Sequence, residues 1–173
     1  MKKIISIISL FKVPITIILT FLLQIIIANS FEIFGITPNL ILVTVVILSM
    51  WNRIEMNVAV ACIMGILSDL IFHFDFGQSF ISYLVIALCI SFISKKYRKE
   101  SKAAIIYITI MATCIFAGFQ FVYYIIDSNL VVNIFAMIKQ IIVEILLNIA
   151  IAYILYKIFE NNMKDEEFNS FYR

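Results

Sequence analysis

AAIIYITIMATCIFAGFQFVYYII, residues 103–126, contains no charged side chain from end to end. As a helix this stretch would cover ~36 Å at 1.5 Å per residue, more than the ~30 Å hydrocarbon core of a bilayer, so lipid rather than water is its natural solvent. Just before it lie Lys95, Lys96, Arg98, Lys99 and Lys102, the densest basic run in the chain, and just after it comes Asp127. Working outward, runs of the same kind predict helices over Val13–Asn29, Ile36–Trp51, Met56–Phe72, Gln78–Ser94, Ala103–Ile126 and Met137–Phe159. The second run has only 16 residues before Asn52-Arg53, so it either crosses nearly upright or turns back as a re-entrant hairpin.

Composition agrees. Of 173 residues, 64% are hydrophobic and 14% charged, against roughly 45–50% and about 25% in soluble domains. The expectation is an all-α membrane protein: a bundle of six short transmembrane helices forming one domain over residues 1–159, with a short tail over 160–173. Such a chain has no room for a catalytic head group. Lys2 and Lys3 followed by apolar sequence and Ala28-Asn29-Ser30 resemble a signal peptide, but the run from Val13 to Asn29 exceeds the usual 7–15-residue signal core and is read as a spanning helix.

Lys and Arg are held on the cytoplasmic side of short loops, and this sets the orientation. With the 95–102 run inside, alternation also places Lys2, Lys3, Lys12, Arg53, Lys157, Lys164 and Arg173 inside. Lys139 alone is left out, and the opposite loops carry Glu32, Asp75 and Asp127. A bacterial cytoplasmic membrane location with both termini in the cytoplasm is expected. The basic run fixes topology beside anionic lipid, or else docks an acidic partner.

Within lipid, helices associate through small residues and polar contacts. Stripes at four-residue spacing mark such faces: Thr16, Thr20, Gln24 and Ala28; Asn57, Ala61, Gly65 and Asp69; Thr109, Thr113, Ala117 and then Gln120; Gln140, Glu144, Asn148 and Ala152. They read as packing seams, the alternative being a polar cavity for a small ligand. Asp69, Lys139 and Glu144 are costly in a membrane and are expected to approach one another at the outer rim.

No catalytic constellation is visible. His73 beside Asp75 could serve Ser68 or Ser79, but no nucleophile motif accompanies them, and an interfacial histidine is the simpler reading. Cys62, Cys89 and Cys114 stand alone in apolar runs as packing residues. No metal spacing, phosphate loop or nucleic-acid signal occurs, so no enzyme activity and no cofactor is expected.

Pro38-Asn39-Leu40 opening the second run, Gly65-Ile66-Leu67-Ser68-Asp69-Leu70 closing the third, and Phe76-Gly77 with Tyr83 starting the fourth, followed by the basic run, form a combination that resembles the rod shape-determining MreD family. Family members often carry an acidic residue where this chain has Asn39. The resemblance implies a non-enzymatic scaffold of the cell-elongation machinery, or elongasome, of peptidoglycan synthesis. It would bind the single-span protein MreC and help couple MreB to a RodA-type glycan polymerase and a transpeptidase. The family's fold also looks like the S component of energy-coupling-factor transporters, which supplies an alternative: a substrate-binding subunit for a vitamin or small solute. An S component would need polar groups converging near the outer face and an Ala-xxx-Ala surface on its first helix, where this chain has only Ala28.

Overall fold

A computed structural model describes residues 2–30, 32–51, 53–72, 77–94, 102–127 and 134–171. They form six helices: α1 (Lys2–Ser30), α2 (Leu40–Trp51), α3 (Ile54–Phe72), α4 (Gln78–Ile93), α5 (Lys102–Asp127) and α6 (Ile134–Phe171). Among the described residues there is no β-strand, only one isolated bridge between Ile33 and Ile36. Three helices, over 54–72, 102–126 and 135–157, are long and apolar enough to cross a membrane; α2, α4 and the 13–28 part of α1 are apolar but shorter.

The second element differs most from expectation. Its helix begins at Leu40, not Ile36, and at 12 residues it measures only ~18 Å. Ile33 and Ile36 exchange backbone hydrogen bonds of 3.0 and 3.1 Å, closing a two-residue turn at Phe34 and Gly35. Both turn residues have positive φ, 56° and 76°, the backbone of a tight hairpin and not of a helix. Pro38 then biases Thr37 away from helical backbone, so helix can start only after it. At the other extreme, α6 continues as helix to Phe171, through most of the segment read as a tail.

This short helix is the axis of the molecule. Every residue from Leu40 to Met50 is buried, and α2 packs against all five other helices. Its sequence has no polar face because it has no outward face. The remaining helices turn their polar stripes inward: Thr20, Gln24, Asn57, Asp69, Thr109, Thr113, Glu144 and Asn148 are all buried. Their outer faces are apolar, with Ile15, Ile18, Leu22 and Ile26 on α1 and Ile138, Ile142 and Leu146 on α6 more than half exposed. Polar inside and apolar outside is the arrangement that lipid rewards.

The tightest seam joins α3 to α4. A Cβ placed on Gly65 would come within 2.5 Å of the Phe80 Cα, so only glycine lets the two backbones cross there. Ser91 on α4 accepts a 2.7 Å hydrogen bond from the Asn57 amide, which also donates to the Ser49 carbonyl at 3.0 Å, tying α3 to both α4 and α2.

Candidate functional site

The N-terminus of α2 emerges among the C-terminal parts of α1, α3 and α5 and the N-terminal parts of α4 and α6. A helix start leaves backbone N–H groups without intrahelical partners, a costly state away from water. Side chains from three elements satisfy them. Asn39 caps its own helix, its Oδ1 accepting from the Leu42 N–H at 2.9 Å. Gln24 on α1 accepts from the Leu40 N–H at 2.7 Å and donates to the Pro38 carbonyl at 3.2 Å. Asn148 on α6 accepts from the Asn39 N–H at 2.9 Å and donates to Thr113 on α5 at 3.2 Å. The Tyr83 hydroxyl on α4 donates to Asn39 Oδ1 at 3.3 Å, and its ring stacks on Phe116 with centroids 5.4 Å apart. Lower down, the Thr20 and Thr44 hydroxyls meet at 3.2 Å.

Above this clamp the helices part around a cavity of about 270 Å³. Its lining draws on every helix and on the 35–38 segment, including Gln24, Asn39, Ser68, Phe72, Tyr83, Phe116, Gln120, Gln140 and Glu144. The polar stripes therefore do two things: at mid-helix they are packing seams, and at this end they open into a polar chamber. Small residues close the seams where they occur, at Ala61, Gly65, Ala117 and Ala152. Apart from Ala28, the stripe positions that reach the chamber are larger: Gln24, Gln120, Gln140 and Glu144.

Among the described residues no ion pair joins Asp69, Lys139 and Glu144; each has another partner. Asp69 is 1% exposed, and its carboxylate receives the N–H groups of Gly77 at 3.0 Å, Ser79 at 2.8 Å and Phe80 at 3.1 Å. The start of α4 thus supplies what a cation was expected to supply, since backbone donors and the positive end of the helix dipole favour a carboxylate there. Gly77 makes the turn possible with φ 107°, a conformation that other residues rarely adopt. The Lys139 ammonium lies 5.5 Å above the Phe34 ring, a cation–π contact at the rim. Glu144 is 5% exposed, lines the cavity and lies beside the Asn148 amide.

Of the other residues singled out in the sequence, Pro38 is buried and accepts from Gln24, while Asn39, Gly65, Gly77 and Tyr83 hold the positions just given. Asp75, His73 and the basic run from Lys95 to Lys99 lie outside the described residues. Cys62 and Cys89 are half-buried and Cys114 is exposed, all as free thiols. Among the described residues no group of three His, Cys, Asp or Glu could hold a metal ion. Sequence reading had put Gln24, Thr113 and Asn148 on inward stripes, but missed that two of them grip the backbone of α2. A spacing rule identifies a face, whereas the partner of that face depends on the fold.

No curated protein and no solved structure matches the chain. A model of the family described as rod shape-determining protein MreD matches residues 4–165, nearly the full length and reaching into all six helices. With an all-helical fold, apolar outer faces and three helices able to span a bilayer, the chain is a membrane protein, and it belongs to the MreD family of rod shape-determining proteins.

Proposed function

We propose that this protein is a multi-pass, non-enzymatic scaffold of the cell-elongation machinery, with six membrane-embedded helices and both termini in the cytoplasm, and that it binds an MreC-like single-span protein. The observation that carries the reading is the family match over residues 4–165. Two features of the molecule support it. The polar groups that a sequence reader would offer to chemistry are largely committed to the backbone of α2 and α4, the economy of a rigid holder. The outer faces of α1 and α6 are apolar and free to meet another helix in the plane of the membrane.

In this reading the partner is held through apolar helix faces and the outer rim near Asp69, Asp75 and Gly77. Asp69 acts there indirectly, because its carboxylate is spent on the α4 amides and shapes the turn. Links to MreB, the glycan polymerase and the transpeptidase would follow through the partner and through the basic run on the cytoplasmic side.

The S-component alternative draws support from one observation, the polar cavity at the end of the bundle. Affinity purification of the tagged full chain in mild detergent separates the two readings. The scaffold reading expects a single-span wall-synthesis partner in the eluate. A vitamin recovered together with ATPase subunits, and no such partner, would overturn it.

A further inference from the structure

We infer that the cavity at the α2 N-terminus is a binding site for an ammonium group, carried by a phosphoethanolamine-type headgroup. Among the described residues, Glu144 is the only formally charged one in the lining, which holds no Lys or Arg. The carboxylate is almost fully enclosed, and the one cation nearby on α6, Lys139, lies over Phe34 instead. A buried carboxylate in a lipid-surrounded bundle calls for a positive partner, and among the described residues none is paired with it.

The rest of the lining suits a small organic cation. Tyr83 and Phe116 present a stacked aromatic pair, and Phe72 adds a third ring, surfaces to which a cation is attracted. Gln24 has both amide atoms engaged at the start of α2 and Asn39 its Oδ1, but Gln120 and Gln140 make no hydrogen bond to the protein among the described residues and are available to a ligand. The volume of about 270 Å³ exceeds the ~150 Å³ that accommodates benzene, so a ligand portion of roughly a dozen heavy atoms fits.

The anionic half of the ligand is suggested by the rim. The Lys139 ammonium sits over Phe34, the neighbour of the cavity-lining Gly35, so an ammonium held at Glu144 leaves the phosphate to be met by Lys139 at the rim. Sideways entry from lipid is open as well. α1 packs along α2 and forms no comparable seam with α6, and Ala28 on α1 and the exposed Gln140 on α6 both line the cavity, so the proposed cleft for entry runs between them. The ligand chemistry is then an ammonium joined to a phosphate, either in phosphatidylethanolamine or in a soluble phosphoethanolamine.

The purified full chain in detergent tests this by native mass spectrometry with phosphatidylethanolamine and phosphatidylglycerol, and by thermal unfolding with phosphoethanolamine. The expected result is at least tenfold preferential retention of phosphatidylethanolamine, or a saturable rise in melting temperature with phosphoethanolamine, the first marking a lipid source and the second a soluble one. Glu144→Gln should abolish either effect. Ala28→Phe, which obstructs the cleft and leaves the carboxylate in place, should do the same if Glu144→Gln fails to fold. Equal retention of the two lipids with no thermal shift would overturn the proposal, as would an effect that survives both substitutions. Recovery of the MreC-like partner is a separate measurement, so failure here leaves the scaffold reading intact.

Discussion

Gly65→Ala isolates the closest helix crossing in the molecule. The added methyl would sit 2.5 Å from the Phe80 Cα, 3.0 Å from its nitrogen and 3.3 Å from its Cβ. Two of these atoms are backbone, so the contact is relieved only by moving α4 away from α3 by about 1 Å, the distance to ordinary van der Waals separation. Overpacking of this kind costs typically 1–3 kcal/mol, and a rigid backbone neighbour places it near the top, ~3 kcal/mol. Alanine in place of glycine returns ~1 kcal/mol of helix propensity. The difference, ~2 kcal/mol, lowers the folding equilibrium about 30-fold. Gly118→Ala is the internal control, because a Cβ there meets nothing within 4 Å and only the propensity gain of ~1 kcal/mol applies. Reversible unfolding of the two variants in mixed micelles of rising sodium dodecyl sulfate fraction measures both. If Gly65→Ala matched or exceeded the wild type, the idea that glycine is required by backbone approach would be wrong. Gly65→Leu, with a larger intrusion, is expected to break the bundle and partner recovery together.

Three other outcomes are expected. Asp69→Ala removes the acceptor for three N–H groups at the start of α4, that of Ser79 buried and those of Gly77 and Phe80 partly so, and should destabilise by ~3 kcal/mol, while Asp69→Asn, which keeps one acceptor oxygen, should lose about half as much; equal losses in micellar unfolding would contradict the capping role. Asn39→Ala strips the cap of α2 and the acceptor of Tyr83, for ~2 kcal/mol, and a double-mutant cycle with Tyr83→Phe should show coupling, whereas strict additivity would mean that the 3.3 Å contact carries nothing. Single cysteines at position 98 and at Phe34, in a variant lacking Cys62, Cys89 and Cys114, should label from opposite sides of the membrane, with position 98 protected in intact cells. Labelling of position 98 from outside would reverse the proposed topology.

Much of this architecture can be read from the chain, and the limits follow from the same physics. The inward stripes were legible because a helix repeats nearly every four residues and hydrocarbon forces polarity to one side, as Gln24, Asp69, Thr113 and Asn148 demonstrate. The central place of α2 was not legible: a run such as LILVTVVILSM shows no face, and a helix buried on all sides reads like one bathed in lipid. Its late start at Leu40 was signalled by Pro38, but the paired left-handed residues Phe34 and Gly35 were not, since a phenylalanine with φ 56° contradicts its own propensity. Matching Asp69 to Lys139 weighed charge against charge, and overlooked the N–H groups that every helix start carries and that the Asp69 carboxylate accepts. Small residues at the stripe centres favour close packing and do close the seams at mid-helix, whereas the larger polar residues at one end line an open cavity.

The bond from the Asn39 N–H to Asn148 spans 109 residues of sequence. A ribosome adding about 5–20 residues per second reaches Asn148 many seconds after Asn39 has been made. Until then the start of α2 lacks one of its acceptors, and the helix itself lacks the walls that α4, α5 and α6 provide. The axis of the molecule is therefore among the first parts synthesised and among the last to settle, and a chain truncated before α6 would leave its middle unfinished, a natural target for membrane proteases.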